Sequence, residues 1–369
     1  MTREQYEGID GRHGAIAVRA GENTSLKEAL GQWTVAELRP LASAYSVKNP
    51  SKLRKEPLID AVASALLERN RMREVLLALE PEEWGIFRRA AETGICRPKN
   101  SDGTGGLPVQ SLGYLYRVQE AGKEAYIVPE EVRAAYREIV AEGFYAQKER
   151  ADLIHAYAMA AVNLYGVISQ EDLIRIFNSQ NGKSLTGDEM FPALIRHIAL
   201  ECGYVLWEEF LVNAAFGDNE FRDVPDLLNR VGDKPRYVPE KAEFLKYADP
   251  GYYEPTVSTA LMEHYLTGDA GLDRAVTWEV LDDLHYAIVL EVSPIELLNI
   301  LHNYGVIIPS NALQIVLDIL SNMANSTRLW SNNGHTPDEI FAHYEKKHMK
   351  KLPARKAKTG RDDPCPCGS

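Results

Sequence analysis

Cysteine is scarce: four in 369 residues, too few for a disulfide framework in a chain of this size. Cys96 and Cys202 stand alone and read as inert thiols, whereas Cys365 and Cys367 fall in a closing Cys-Pro-Cys-Gly-Ser where no core can form. Long apolar runs are also missing. None approaches the roughly 18 residues that span a bilayer, so no membrane span is expected. The opening Met1-Thr2-Arg3-Glu4-Gln5-Tyr6-Glu7 has acids and no apolar stretch, which argues against a secretory signal and predicts a cytoplasmic protein. The motifs of common chemistries are absent too: no glycine-rich dinucleotide or phosphate loop, no His-Glu-x-x-His, no Gly-x-Ser-x-Gly. No catalytic residue is nominated, and the chain reads as non-enzymatic.

What is present is an ordinary globular composition, 45% hydrophobic and 25% charged, enough for a real core and, at this length, two or three domains. The formal charge of −12 argues against a polyanionic partner only if it is evenly spread. It is not. Thr34 to Arg73 holds eight Lys/Arg against four Asp/Glu, and Glu345 to Arg361 holds eight against one, so the remainder carries an excess of 23 acids. An acidic body lies between two basic ends.

The periodicity predicts a mostly α protein with small β-hairpins. Residues 1–25 read as a flexible leader. Over 26–73, Thr34 and Glu37 have capping-box spacing ahead of an amphipathic helix, Asn49-Pro50-Ser51 forces an extended turn, and a second helix is expected from Lys55 to Arg73. Over 74–145, a helix at 82–91 is followed by a loop at 100–106 and a third helix ending near Leu115. Two alternating segments then flank Glu120-Ala121-Gly122-Lys123 as a hairpin, and a helix follows from Glu130 to Val140. Over 146–250 helices are expected at 151–165, 170–178 and 188–200, with strand-like pieces at 203–207 and 235–240. The echo of Leu164-Tyr165-Gly166-Val167-Ile168 in Asn303-Tyr304-Gly305-Val306-Ile307 is compatible with repeated modules. Residues 251–351 read as a helical domain, with helix starts at Ser293-Pro294, Pro309-Ser310 and Thr336-Pro337 and a last helix to about Lys351. Residues 352–369 read as a disordered basic linker that ends in the cysteine pair.

Three stretches resemble known families. Gly360-Arg361-Asp362-Asp363-Pro364-Cys365-Pro366-Cys367-Gly368-Ser369 resembles the opening of the SEC-C motif, the zinc-binding tail of the SecA translocase motor. The resemblance implies Cys365 and Cys367 as metal ligands, but of an incomplete half-site, since structural zinc takes four ligands and the family's second pair does not follow. Zinc is expected only if another chain or a longer C-terminus supplies the missing ligands. Leu26 to Leu67 resembles the N-terminal helix-extended-helix domain of transcription terminator Rho, a relative of the SAP domain, through Thr34-Val35-Ala36-Glu37-Leu38-Arg39-Pro40-Leu41-Ala42, Ser51-Lys52-Leu53-Arg54-Lys55 and Leu58-Ile59-Asp60-Ala61-Val62. It implies that Lys48, Ser51, Lys52, Arg54 and Lys55 approach a nucleic-acid backbone; the alternative is that they only solvate a small helical pair. Glu82 to Ile139 resembles winged-helix domains, through Leu112-Gly113-Tyr114-Leu115 and Tyr126-Ile127-Val128-Pro129-Glu130-Glu131-Val132. Many winged helices bind protein, which suits the weakly charged segment here.

The histidines His155, His197, His264, His285 and His302 lie in helical patterns and read as ordinary core or surface residues. The expectation is an adaptor that binds nucleic acid or the ribosome weakly through its basic ends and a protein partner through its acidic helical body. Two alternatives stay open: an enzyme or phage-defence effector acting on nucleic acid with a site assembled only in the fold, and a chaperone or translocation accessory factor.

Overall fold

A computed structural model describes residues 23–97, 112–120, 123–198, 200 and 202–342. The chain is mostly helical with two small three-stranded antiparallel sheets, and it divides into two compact units. The first comprises the described residues of 1–232 together with 238–252; the second comprises 233–237 and the described residues from 253 onward.

The first unit opens with α1 (Leu26–Gly31) and α2 (Val35–Ala44), each started by a full capping box: Ser25 with Glu28 and Thr34 with Glu37. Each box satisfies two of the amides that a helix start leaves without carbonyl partners. The helix expected from Lys55 to Arg73 is instead two, α3 (Lys55–Leu66) and α4 (Arg69–Ala78). The break has a local cause: the Glu68 carboxylate accepts from the backbone N–H groups of Asn70 and Arg71 at 3.1 and 2.8 Å, which caps a new helix inside the run.

α5 (Pro81–Thr93) ends at Gly94, whose φ of 89° turns the chain into β1 (Ile95–Cys96). The expected hairpin forms from β2 (Tyr116–Glu120) and β3 (Lys123–Ile127), with Tyr116 opposite Ile127, and β1 adds to β3 to give the order β1-β3-β2. Residues 112–115, where a third helix was expected to end, are a turn. α6 (Glu130–Ala141) follows. The boundary expected between 73 and 74 lies inside one hydrophobic core that runs from Leu26 to Ala151. Two tyrosines bolt it together: Tyr45 donates its hydroxyl to the Leu112 carbonyl at 2.9 Å and Tyr114 to the Leu66 carbonyl at 3.0 Å.

A second sheet of the same strand pairing follows. α7 (Phe144–Tyr165) ends at Gly166 (φ 73°) and enters β4 (Val167–Ser169); Ser169 caps α8 (Gln170–Gln180), α9 (Gly187–Ile198) follows, and β5 (Tyr204–Trp207) and β6 (Phe210–Asn213) form a hairpin. The sheet order is β4-β6-β5, matching the first. In each sheet the second strand of the hairpin pairs with the short strand that follows a glycine-ended helix. The structural repeat therefore pairs Gly94-Ile95-Cys96 with Gly166-Val167-Ile168. Asn303-Tyr304-Gly305-Val306-Ile307, the echo read from sequence, ends a helix and forms no strand. Nor is 235–240 a strand. Pro235 and Pro239 lack the N–H groups a ladder needs, and the strand that pairs β4 and β5 is Phe210–Asn213. α10 (Val224–Val231) and α11 (Lys241–Phe244) complete the unit.

The second unit is helical: α12 (Val257–His264), α13 (Arg274–Val289), α14 (Pro294–Asn303), α15 (Leu313–Ser326) and α16 (Pro337–Ile340), around Leu266, Val280, Leu284, Leu301 and Val316. Ser293 and Thr336 cap the helices expected there, each in a full capping box, whereas the helix expected at Pro309 starts at Leu313. Arg328 organises the following segment, bonding Glu254, Glu339 and the Gly334 carbonyl at 2.8, 3.0 and 3.1 Å, with its guanidinium 3.5 Å from the Tyr237 ring centroid. Among the described residues no helix is long and apolar enough to cross a membrane.

Candidate functional site

Four of the five residues nominated for nucleic-acid contact sit on the surface of the link between α2 and α3. The link is less extended than the sequence suggested: Asn49 adopts a left-handed conformation (φ 51°), Pro50–Lys52 forms one 3-10 turn, and only Leu53 and Arg54 are extended. Lys48, Ser51, Lys52 and Arg54 are exposed, and the three cations make no ion pair with any described residue. Arg39 holds the turn from beneath, donating to the Ser51 carbonyl at 3.4 Å. Lys55 is set apart. It is half-buried and donates to the Gly31 carbonyl at 2.6 Å, tying α3 to the end of α1. Arg54 occupies the N-cap of α3 with no side chain capping it, so the first amides of that helix face the same loop. Cys365 and Cys367 lie outside the described residues.

A second constellation was not foreseen. Glu80, His155 and His197 converge, and among the described residues they are the only three His, Cys, Asp or Glu side chains placed to hold a metal ion together. Glu80 is the N-cap of α5, His155 lies midway along α7 and His197 is one residue from the end of α9. Glu80 Oε1 is 3.2 Å from His155 Nε2 and 3.3 Å from His197 Nδ1. The two imidazoles stack, with centroids 3.7 Å apart and planes inclined by 13°. His155 Nδ1 is 2.9 Å from the Tyr204 hydroxyl on β5. His197 is 2% exposed, and neither of its nitrogens makes a hydrogen bond: Nδ1 is near Glu80 without the required geometry.

Burial lowers the His197 pKa to about 4, outweighing the favourable Glu80 carboxylate, and so keeps the ring neutral. Burial alone would raise Glu80, but the adjacent imidazoles of His155 and His197 hold its carboxyl below the usual range. Cys202 lies nearby, its amide bonded to the His197 carbonyl at 3.2 Å, and burial pushes its thiol up to about 12. That shift favours the protonated thiol. Lys148, 2% exposed, donates to the Leu79 carbonyl at 2.7 Å and pairs with Asp152, so its charge is locally matched.

Glu80, His155 and His197 are 75 and 42 residues apart in sequence, a spacing that carries no recognisable motif, which is why helical periodicity assigned both histidines to ordinary packing. Asp282, Asp283 and His285 do not assemble into an acid–base group; Asp283 accepts from the Tyr304 hydroxyl at 2.8 Å, and His285 packs on the Tyr253 ring at 4.8 Å. The chain matches no family model, no curated protein and no solved structure.

Proposed function

We propose that the protein is a cytoplasmic, non-enzymatic adaptor that holds a nucleic-acid or ribosomal RNA backbone weakly through its N-terminal helix-extended-helix segment and its basic C-terminal stretch, and a protein partner through its acidic body. The observation that carries the reading is the α2–α3 link: Lys48, Lys52 and Arg54 are exposed without acidic partners among the described residues, beside the uncapped start of α3. Exposed cations and free helix-start amides are the two devices that bind phosphate without reading bases.

The second sheet and its helices, read as a winged module, support the protein half. In DNA-binding modules of this plan the helix before the wing enters the major groove. Here that helix, α9, exposes Asp188, Phe191 and Pro192, while its cation Arg196 is spent on Glu74 and the wing tip carries Glu208 and Glu209. Such a face repels phosphate and suits a protein surface. The second unit also exposes Val257, Trp278, Ile295 and Ile307, large apolar side chains of the kind that partner proteins cover.

Fluorescence anisotropy of labelled single- and double-stranded DNA and RNA tests the reading. Wild type binds without sequence preference, and Lys52→Ala with Arg54→Ala weakens binding at least several-fold. Unchanged affinity in that variant would remove the helix-extended-helix segment from the account.

A further inference from the structure

We infer that Glu80, His155 and His197 form a binding site for a divalent transition metal, Zn²⁺ by its donor set, which joins the start of α5 to α7 and α9. The distances come first. Zinc bound by imidazole and carboxylate at about 2.0–2.1 Å in a tetrahedron sets its ligand atoms about 3.3–3.4 Å apart. Two of the three edges already have that length: Glu80 Oε1 to His155 Nε2 at 3.2 Å and to His197 Nδ1 at 3.3 Å. All three ligand atoms lie within 4.8 Å of one another. The remaining nitrogen–nitrogen edge closes when the stacked rings swing out of their near-parallel arrangement and point their lone pairs at one centre.

His197 supplies the second observation. A buried imidazole has one donor and one acceptor to satisfy, and leaving them unmade is costly. His197 is buried with both nitrogens unbonded, and a metal at Nδ1 would use the lone pair that now has no partner.

The surroundings match a metal centre in two further respects. Ligating histidines are oriented by a hydrogen bond that the other ring nitrogen donates, and His155 Nδ1 lies 2.9 Å from the buried Tyr204 hydroxyl oxygen, placed to donate to it. Lys148 would oppose a cation, but Asp152 balances it, so the Glu80 carboxylate leaves the pocket with one net negative charge. Two nitrogens and one oxygen select zinc-like ions over Mg²⁺ or Ca²⁺, which prefer all-oxygen sites. Glu80 is about half exposed. A water can therefore take the fourth position, and the ion has a route in from that side.

The test uses the full chain carrying Cys365→Ser and Cys367→Ser, so that the terminal thiolates hold no zinc. Calorimetric titration with ZnCl₂ should show one ion per chain, Co²⁺ should give tetrahedral visible bands, and the melting temperature should rise with Zn²⁺ and return with a chelator. His197→Gln and Glu80→Gln should abolish that rise, and Tyr204→Phe should weaken binding about 10–100-fold. Glu80 is at the surface, so its variant keeps the test valid if His197→Gln fails to fold. The inference is overturned if the parent binds no Zn²⁺ at micromolar concentration, or if Glu80→Gln binds and is stabilised like the parent.

Discussion

Gly113 is where α2 and α3 pack against the segment that leads into the first sheet, and replacing it by alanine measures that contact. Its φ is +79°, and an added Cβ would lie 3.1 Å from Leu66 Cδ1, 3.2 Å from Leu41 Cδ2 and 3.3 Å from Leu66 Cδ2. A left-handed alanine costs about 1–2 kcal/mol, and overfilling a packed core costs about 1–3 more. The reduced freedom of the unfolded chain returns about 0.4–1. Gly113→Ala should therefore destabilise by about 2–4 kcal/mol. Gly143 is the matched control. It has φ +84° and nothing within 4 Å of a built Cβ, so Gly143→Ala carries the backbone penalty alone and should cost about 1 kcal/mol or less. Urea unfolding followed by far-ultraviolet circular dichroism measures both. Equal losses in the two variants would refute the reasoning, because Leu41 and Leu66 would then not press on the segment around Gly113.

Two other perturbations probe buried polar groups. Burial pushes His285 down to about 4, so between its ordinary 6.5 and 4 the unfolded chain takes up a proton that the folded chain refuses. Its contribution is intact above pH 6.5 and is lost as pH falls toward 4, by at most about 3 kcal/mol; stability against pH in His285→Gln should be flatter over that window, and a parallel curve would contradict the burial. Lys148→Met keeps the side chain's length but removes the donor to the Leu79 carbonyl and leaves Asp152 unpaired. A loss of about 2–4 kcal/mol is expected in urea unfolding, and a loss under 0.5 would mean that the ammonium is not held there.

Much of the fold was legible because local chemistry announces itself. The capping pairs Thr34/Glu37, Ser293/Glu296 and Thr336/Glu339 all formed, and the hairpin around residues 121–122 and the helix at Glu130 followed their patterns. Errors arose where tertiary structure or an unusual turn decided. The β5–β6 hairpin turns at Glu208 with φ +53°, without the Gly or Asn that marks such turns, so β6 went unseen. Glu68 capped a helix in the middle of an amphipathic run. For the sites, the cations clustered over the eight residues from Lys48 to Lys55 could be read directly as a surface feature, except that Lys55 ties α3 to α1. Glu80, His155 and His197 could not, because three packed elements bring them together and no sequence spacing encodes that meeting.

The central claim is that the α2–α3 link meets phosphate, and the most direct measurement is the salt dependence of nucleic-acid affinity. Each phosphate neutralised on duplex DNA contributes about −0.9 to the slope of log affinity against log salt. With the basic C-terminal stretch left intact in both proteins, Lys52→Ala with Arg54→Ala should make the slope shallower by about 1.8. Identical slopes for wild type and variant would contradict the account.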